Sequence, residues 1–156
     1  MRQVHWKPLI LITGATLLAG GLSALLTGSS MAKYQMLAKP ALSPPGMVFP
    51  VVWTILYLLM GISAWMIYET RTRGKTRALK LYLIQLAVNL LWPLLFFGMQ
   101  WYLFSFFWLL LLLLLVILMI LRFLPISRTA ALLQIPYAFW LIFAGYLNIS
   151  VWLMNG

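Results

Sequence analysis

The chain has 156 residues, 65 % of them hydrophobic and 8 % charged, and eleven Lys and Arg stand against a single acid for a formal charge of +10. Soluble domains carry about 25 % charged residues, so the composition excludes that class. With no Cys and with Glu69 as the only carboxylate side chain, it also excludes disulfides, thiolate chemistry, paired-carboxylate catalysis and a Ser-His-Asp arrangement.

Arg2 and Lys7 precede an apolar run from about residue 8 to 27, the first predicted span. The apolar part of a signal peptide is shorter, roughly 7–15 residues. The run therefore reads as a retained helix, although Ser30-Met31-Ala32 could pass for a cleavage site. Its Gly14, Ala15, Ala19, Gly20, Ser23 and Ala24 are spaced for close helix contact, either inside one subunit or at a dimer seam. A long connector, about 28–47, follows, and further spans are predicted at about 48–68, 79–98, 103–121 and 129–153.

The decisive stretch is residues 81–121, which carry no charge at all. One arginine at a bilayer centre costs roughly 2.5 to 3.5 kcal/mol on insertion scales, and one crossing takes about 20 apolar residues. The stretch is therefore two crossings joined by a turn at Gly98-Met99-Gln100-Trp101-Tyr102. Continuous leucine from Leu109 to Leu115 suits a helix in lipid, whereas barrel strands would alternate polar and apolar residues. The fold class is an all-α membrane protein, a single five-transmembrane-helix bundle over residues 1–156. Pro93 and Pro136 are expected to kink their helices. Trp6, Trp101 and Trp152 are expected as interfacial anchors, and Trp65 and Trp108 as lipid-facing.

Five spans put the ends on opposite sides. Arg2, Lys7, Arg71, Arg73, Lys75, Arg77, Lys80, Arg122 and Arg128 then share the amino-terminal side, against Lys33 and Lys39 on the other. This asymmetry places the amino terminus in the cytoplasm of a plasma (inner) membrane. The cations sit in short connectors rather than alternating with aromatics, so they read as contacts with membrane lipid and not with nucleic acid. Glu69 is expected to pair with Arg73 and His5 to lie at the surface, which leaves no metal site.

The connector holds Tyr34, Leu37, Lys39-Pro40 and Ser43-Pro44-Pro45-Gly46. Its prolines stiffen it, and a long ordered loop in a compact protein is more often functional than a linker. It is expected to form a lid over the bundle. Pro50, just beyond, can sit in a first helical turn at little cost.

These residues carry a resemblance. The order Tyr34, Leu37, Lys39-Pro40, Pro44-Pro45-Gly46, Val48-Phe49, Trp53, Leu56-Tyr57 and Met60-Gly61 is similar to that of the translocator protein family, also called tryptophan-rich sensory proteins or peripheral benzodiazepine receptors. So is the later series Tyr82, Gln85, Asn89, Trp92, Phe96-Phe97, Pro136-Tyr137, Trp140, Ala144 and Leu147-Asn148. The resemblance implies a five-helix bundle, commonly homodimeric, that binds porphyrins and related hydrophobic ligands without a required cofactor. Outer-membrane placement occurs in parts of that family and is the alternative localisation.

Spacing adds a physical reading. Trp53 and Tyr57 share one helix face, Asn89 and Trp92 another, and Trp140, Ala144 and Asn148 form a line on the last span. Such walls suit a flat macrocycle through stacking and burial; helix packing and interhelical hydrogen bonding are the plainer explanations. The candidate ligand-binding residues are Tyr34, Lys39, Pro44, Trp53, Tyr57, Asn89, Trp92, Trp140, Ala144 and Asn148, with Lys39 or Lys33 facing ligand carboxylates. Lys33 stands where several relatives have tryptophan. No Lys or Arg follows Tyr146, so a sterol role is not carried over.

The main functional reading is a membrane receptor or carrier for porphyrins, acting in transport or stress regulation. The alternative is a light-driven porphyrin-degrading enzyme in which Trp53 or Trp140 supplies an electron. A third reading is a bundle that recruits partner proteins.

Overall fold

Residues 4–156 are described by this computed structural model and contain no strand; Arg2 lies outside them. Helix α1 (Trp6–Thr27) continues through one tight turn, Gly28–Ser30, into α2 (Met31–Gln35). The first part of the expected connector is thus helical. Gly28 keeps a right-handed helical conformation, and Gly-Ser-Ser narrows the helix instead of ending it. The loop proper is 36–47, built on two turns in which Ser43 N–H reaches Pro40 O and Val48 N–H reaches Pro45 O.

Helix α3 (Val48–Tyr68) carries Pro50 in its first turn, where a missing N–H costs nothing. Helix α4 (Lys75–Pro93) ends at its proline, and the chain widens into a π-helical turn, Leu94–Gly98. Helix α5 is Tyr102–Phe123, and α6 (Arg128–Leu132) starts at Ser127, whose hydroxyl accepts the Ala130 N–H at 3.2 Å. Helix α7 is Ile135–Asn155. Pro136 is its second residue, so it starts a helix and does not kink one; the fifth span is instead interrupted at residues 133–134.

The spans Trp6–Gln35, Val48–Tyr68, Lys75–Gly98, Tyr102–Phe123 and Arg128–Asn155 are long and apolar enough to cross a membrane. Helix α1 packs on α3 and α4, α4 on α5, and α5 on α7. Helices α3 and α7 close the ring chiefly through side chains, with Trp53 against Tyr137 and Trp140 and with Phe49 against Trp140.

The tightest seam is α1 on α3. A Cβ on Gly61 would stand 2.6 Å from Thr13 Cα, and one on Gly20 would overlap the Tyr57 ring. The small-residue series of α1 thus serves contact within the chain at Gly20, while Gly14 and Gly21 face open space. At the other end of α1, His5 Nδ1 meets Glu69 Oε2 at 2.5 Å. Gly74 lies beside Ile126, which draws the two basic connectors together. Trp108 does not simply face lipid: its indole N–H donates to Val88 O at 2.8 Å and ties α5 to α4. Trp65 is half-buried, with its indole nitrogen fully covered.

The turn between α4 and α5 falls where the sequence puts it, but the left-handed residue is Gln100, at φ 58°, and not Gly98. That conformation costs a non-glycine residue roughly 1–2 kcal/mol. Gln100→Gly is expected to raise stability by about 1 kcal/mol in thermal unfolding in detergent micelles. Gly61→Ala is expected to lower it by about 1–3 kcal/mol through overpacking against backbone, while Gly14→Ala, which meets no atom of its own chain, is expected to raise the stability of the monomer in micelles by up to about 1 kcal/mol through helix propensity.

Candidate functional site

Between α1, α3, the end of α4 and α7 lies a cavity of about 530 Å³, roofed by Tyr34 and by Gly46 and Met47 of the loop. Eight of its lining residues are aromatic. Trp53 and Tyr57, one turn apart on α3, stack at 5.6 Å and 30°. Trp92 of α4 stacks on Phe96 of the following wide turn at 5.2 Å and 19°. Tyr34 stands edge-on to Phe96 and Phe97 at 5.8 and 5.3 Å. Trp140 meets Trp53 edge-on at 6.5 Å. Along α7, Trp140, Ala144 and Asn148 follow one another down the same wall.

Seven of the candidate residues therefore share one cavity: Tyr34, Trp53, Tyr57, Trp92, Trp140, Ala144 and Asn148. Three do not line it. Asn89 is buried behind the wall, where its Oδ1 accepts from Tyr57 OH at 2.7 Å and its Nδ2 donates to Tyr137 OH at 2.5 Å. Lys39 lies over the Tyr34 ring, 4.9 Å from its centroid. Pro44 sits half-buried in the loop beside the turn at Pro45.

Most polar groups at the wall are already engaged. Asn148 Oδ1 accepts from Trp92 Nε1 and Ser105 Oγ, both at 3.1 Å, and its Nδ2 donates to Tyr102 O at 2.7 Å. Ser23 donates to Leu90 O and Thr27 to Ser23 O, each at 3.0 Å. Among the described residues, the buried Nε1 of Trp140 has no partner. Its indole also borders an outer groove with Val52, Ile55, Phe139 and Phe143, so it is the partition between the cavity and the outer face of the bundle. Such a lining suits shape complementarity, stacking and apolar burial of a ligand.

Sequence reasoning missed the wall given by α1. Gly20, Ser23, Ala24 and Thr27 line the cavity, and their spacing was the available signal, read there only as helix contact. It also missed Phe96 and Phe97, which the wide turn after Pro93 swings under Tyr34.

A sequence model of the TspO/MBR family matches residues 11–153. The chain belongs to this family. Among relatives, "Tryptophan-rich protein TspO" of Chlorobaculum tepidum is 36 % identical over 124 residues, covering 78 % of each chain. "Protein CrtK" of Rhodobacter capsulatus is 36 % identical over 139 residues, 88 % of this chain and 86 % of that one. "Translocator protein" of Bos taurus is 36 % identical over 157 aligned positions, 96 % of this chain and 91 % of that one. In this TspO/MBR protein the cavity walls come from four of the five spans.

Behind the wall, Tyr137 OH donates to Gln85 Oε1 at 2.9 Å and continues the chain that starts at Tyr57. Tyr137→Phe strands Asn89 Nδ2 and Gln85 Oε1 in a dry interior, at about 1–3 kcal/mol. Since Tyr137 does not line the cavity, the expected outcome is a lower unfolding midpoint in micelles with cavity-ligand affinity unchanged.

Proposed function

We propose that this protein is an integral membrane receptor or carrier that holds porphyrins and similar flat hydrophobic ligands in its aromatic cavity, for transport or stress regulation. The observation that supports this best is the cavity of about 530 Å³ walled by Trp53, Tyr57, Trp92, Phe96 and Trp140. A macrocycle gains from stacking on such rings and from leaving water. Lys39, held above Tyr34 at the roof, or Lys33 is the cation to serve a ligand carboxylate. Loss of one stacking indole is worth about 0.5–1.5 kcal/mol.

The orientation that goes with this reading puts the amino terminus in the cytoplasm of a plasma membrane. In this reading Lys7, Arg71, Arg73, Lys75, Arg77, Lys80, Arg122 and Arg128 stand on that side, against Lys33 and Lys39 on the other. A homodimer is part of the proposal; Gly14 and Gly21, with open space in front of them, are where another helix approaches α1 most closely.

A second reading has one observation in its favour, the edge-on contact of Trp53 and Trp140 at the cavity. In that reading light excites bound porphyrin and an indole of this pair supplies an electron. Product separates the two, because a receptor returns porphyrin unchanged whereas an enzyme leaves a new absorbing species.

Tryptophan fluorescence is expected to be quenched saturably by protoporphyrin IX in detergent, in the dark. Trp140→Phe is expected to weaken binding about three- to tenfold, and Ala144→Thr, which narrows the same wall, to weaken it as well. Quenching that does not saturate, or that ignores Trp140, would overturn the ligand assignment. A light-dependent product lost in Trp53 or Trp140 variants would move the assignment to the enzyme.

A further inference from the structure

The loop that roofs the cavity is fastened to the far end of α7 by one side chain. Asn155 accepts the Ala38 N–H on Oδ1 at 3.0 Å and returns its Nδ2 to Ala38 O at 2.9 Å. The second Nδ2 hydrogen goes to Val151 O, one turn back, at 2.8 Å. The amide is therefore fully used, and only one of its two orientations fits. Turning it over would set its oxygen against two carbonyls and its nitrogen against an N–H.

The other backbone hydrogen bonds of the loop are local. Met36 and Leu37 reach back to Lys33 and Tyr34, Ser43 to Pro40, and Val48, at the start of α3, to Pro45. The clasp at Ala38 thus joins the loop backbone to α7, the helix that carries Trp140, Ala144 and Asn148. Both Ala38 and Asn155 are exposed, so the clasp competes with water and opens far more readily than the buried network beneath the cavity. Asn155 is not among the residues that line the cavity.

We propose that Asn155 is a latch that sets how fast molecules enter and leave the cavity, acting through the loop and leaving the cavity wall as it is. The proposal rests on reading the cavity as a ligand site, and its first test needs no ligand. The chain has no Cys, so Ala144→Cys gives a single thiol inside the cavity, and Ala64→Cys gives one in the packed core away from it. Labelling of each by a maleimide dye in detergent is compared in the Asn155, Asn155→Ala and Asn155→Asp backgrounds.

The expected result is labelling at position 144 about tenfold faster in both Asn155 variants, with labelling at position 64 and the unfolding midpoint unchanged. The aspartate variant belongs with alanine because it cannot donate to Ala38 O or Val151 O. Unchanged labelling at position 144, or equal acceleration at 144 and 64, would overturn the latch. Stopped-flow quenching by protoporphyrin IX then reads exchange directly. Asn155→Ala is expected to raise the on- and off-rates together by about tenfold, with Kd within about twofold. Faster labelling with unaltered porphyrin exchange overturns control of ligand entry. Wild-type protein that never binds porphyrin saturably overturns the ligand instead, and the labelling result then decides the latch.

Discussion

Hydrocarbon supplies no hydrogen bonds, so a backbone or side-chain polar group at the middle of this bundle is costly unless it finds a partner inside the protein. Tyr57, Asn89, Tyr137 and Gln85 meet that demand as a chain, linking α3, α4 and α7 through bonds of 2.7, 2.5 and 2.9 Å. Thr16 and Tyr82 add a bond of 2.5 Å between α1 and α4. Tyr57 has three duties at once. It ends the chain, stacks beneath Trp53, and fills the notch that Gly20 leaves on α1. Packing, polar satisfaction and the shape of the cavity therefore converge on one ring, and the wall is rigid where this network backs it.

The rest of the wall is held differently. On the α3–α7 side the backbones leave the closing of the ring to Phe49, Trp53, Tyr137 and Trp140. Side chains turn over much faster than packed helices slide. The cavity thus combines a fixed back, formed where amides and phenols are locked, with an adaptable front made of indoles. Asn148 belongs to the fixed part, because its amide is consumed by Trp92, Ser105 and the Tyr102 carbonyl.

The spans were legible because lipid writes itself into sequence by excluding charge, and no packing detail is needed to see it in residues 81–121. The aromatic walls were legible because helical spacing puts Trp53 with Tyr57 and Trp140 with Ala144. What a sequence does not display is whether a polar group is already engaged. Asn89 and Asn148 read equally well as ligand donors, yet each has partners from other spans, set by packing over long sequence separations. Gly28-Ser29-Ser30 reads as a stop, although tertiary contact carries the helix on to Gln35. Asn155 reads as a helix end, and nothing near it in sequence points to Ala38. Trp108 shows the same gap in reverse: an indole in a leucine-rich span looks lipid-facing until the Val88 carbonyl is found beside it.

The helical run from Trp6 to Gln35 has 30 residues, or about 45 Å at 1.5 Å per residue. The hydrocarbon layer is about 30 Å thick, so this run overshoots it by about 15 Å unless it tilts steeply. With that excess at its far end, Tyr34 and the loop clasped at Ala38 would stand at the depth of the lipid headgroups. An amphiphile seated in the cavity can bury its apolar plane among the rings while its charged edge remains hydrated at that level. On the proposed reading, capture would not require stripping water from a carboxylate, a costly step for a membrane-embedded site.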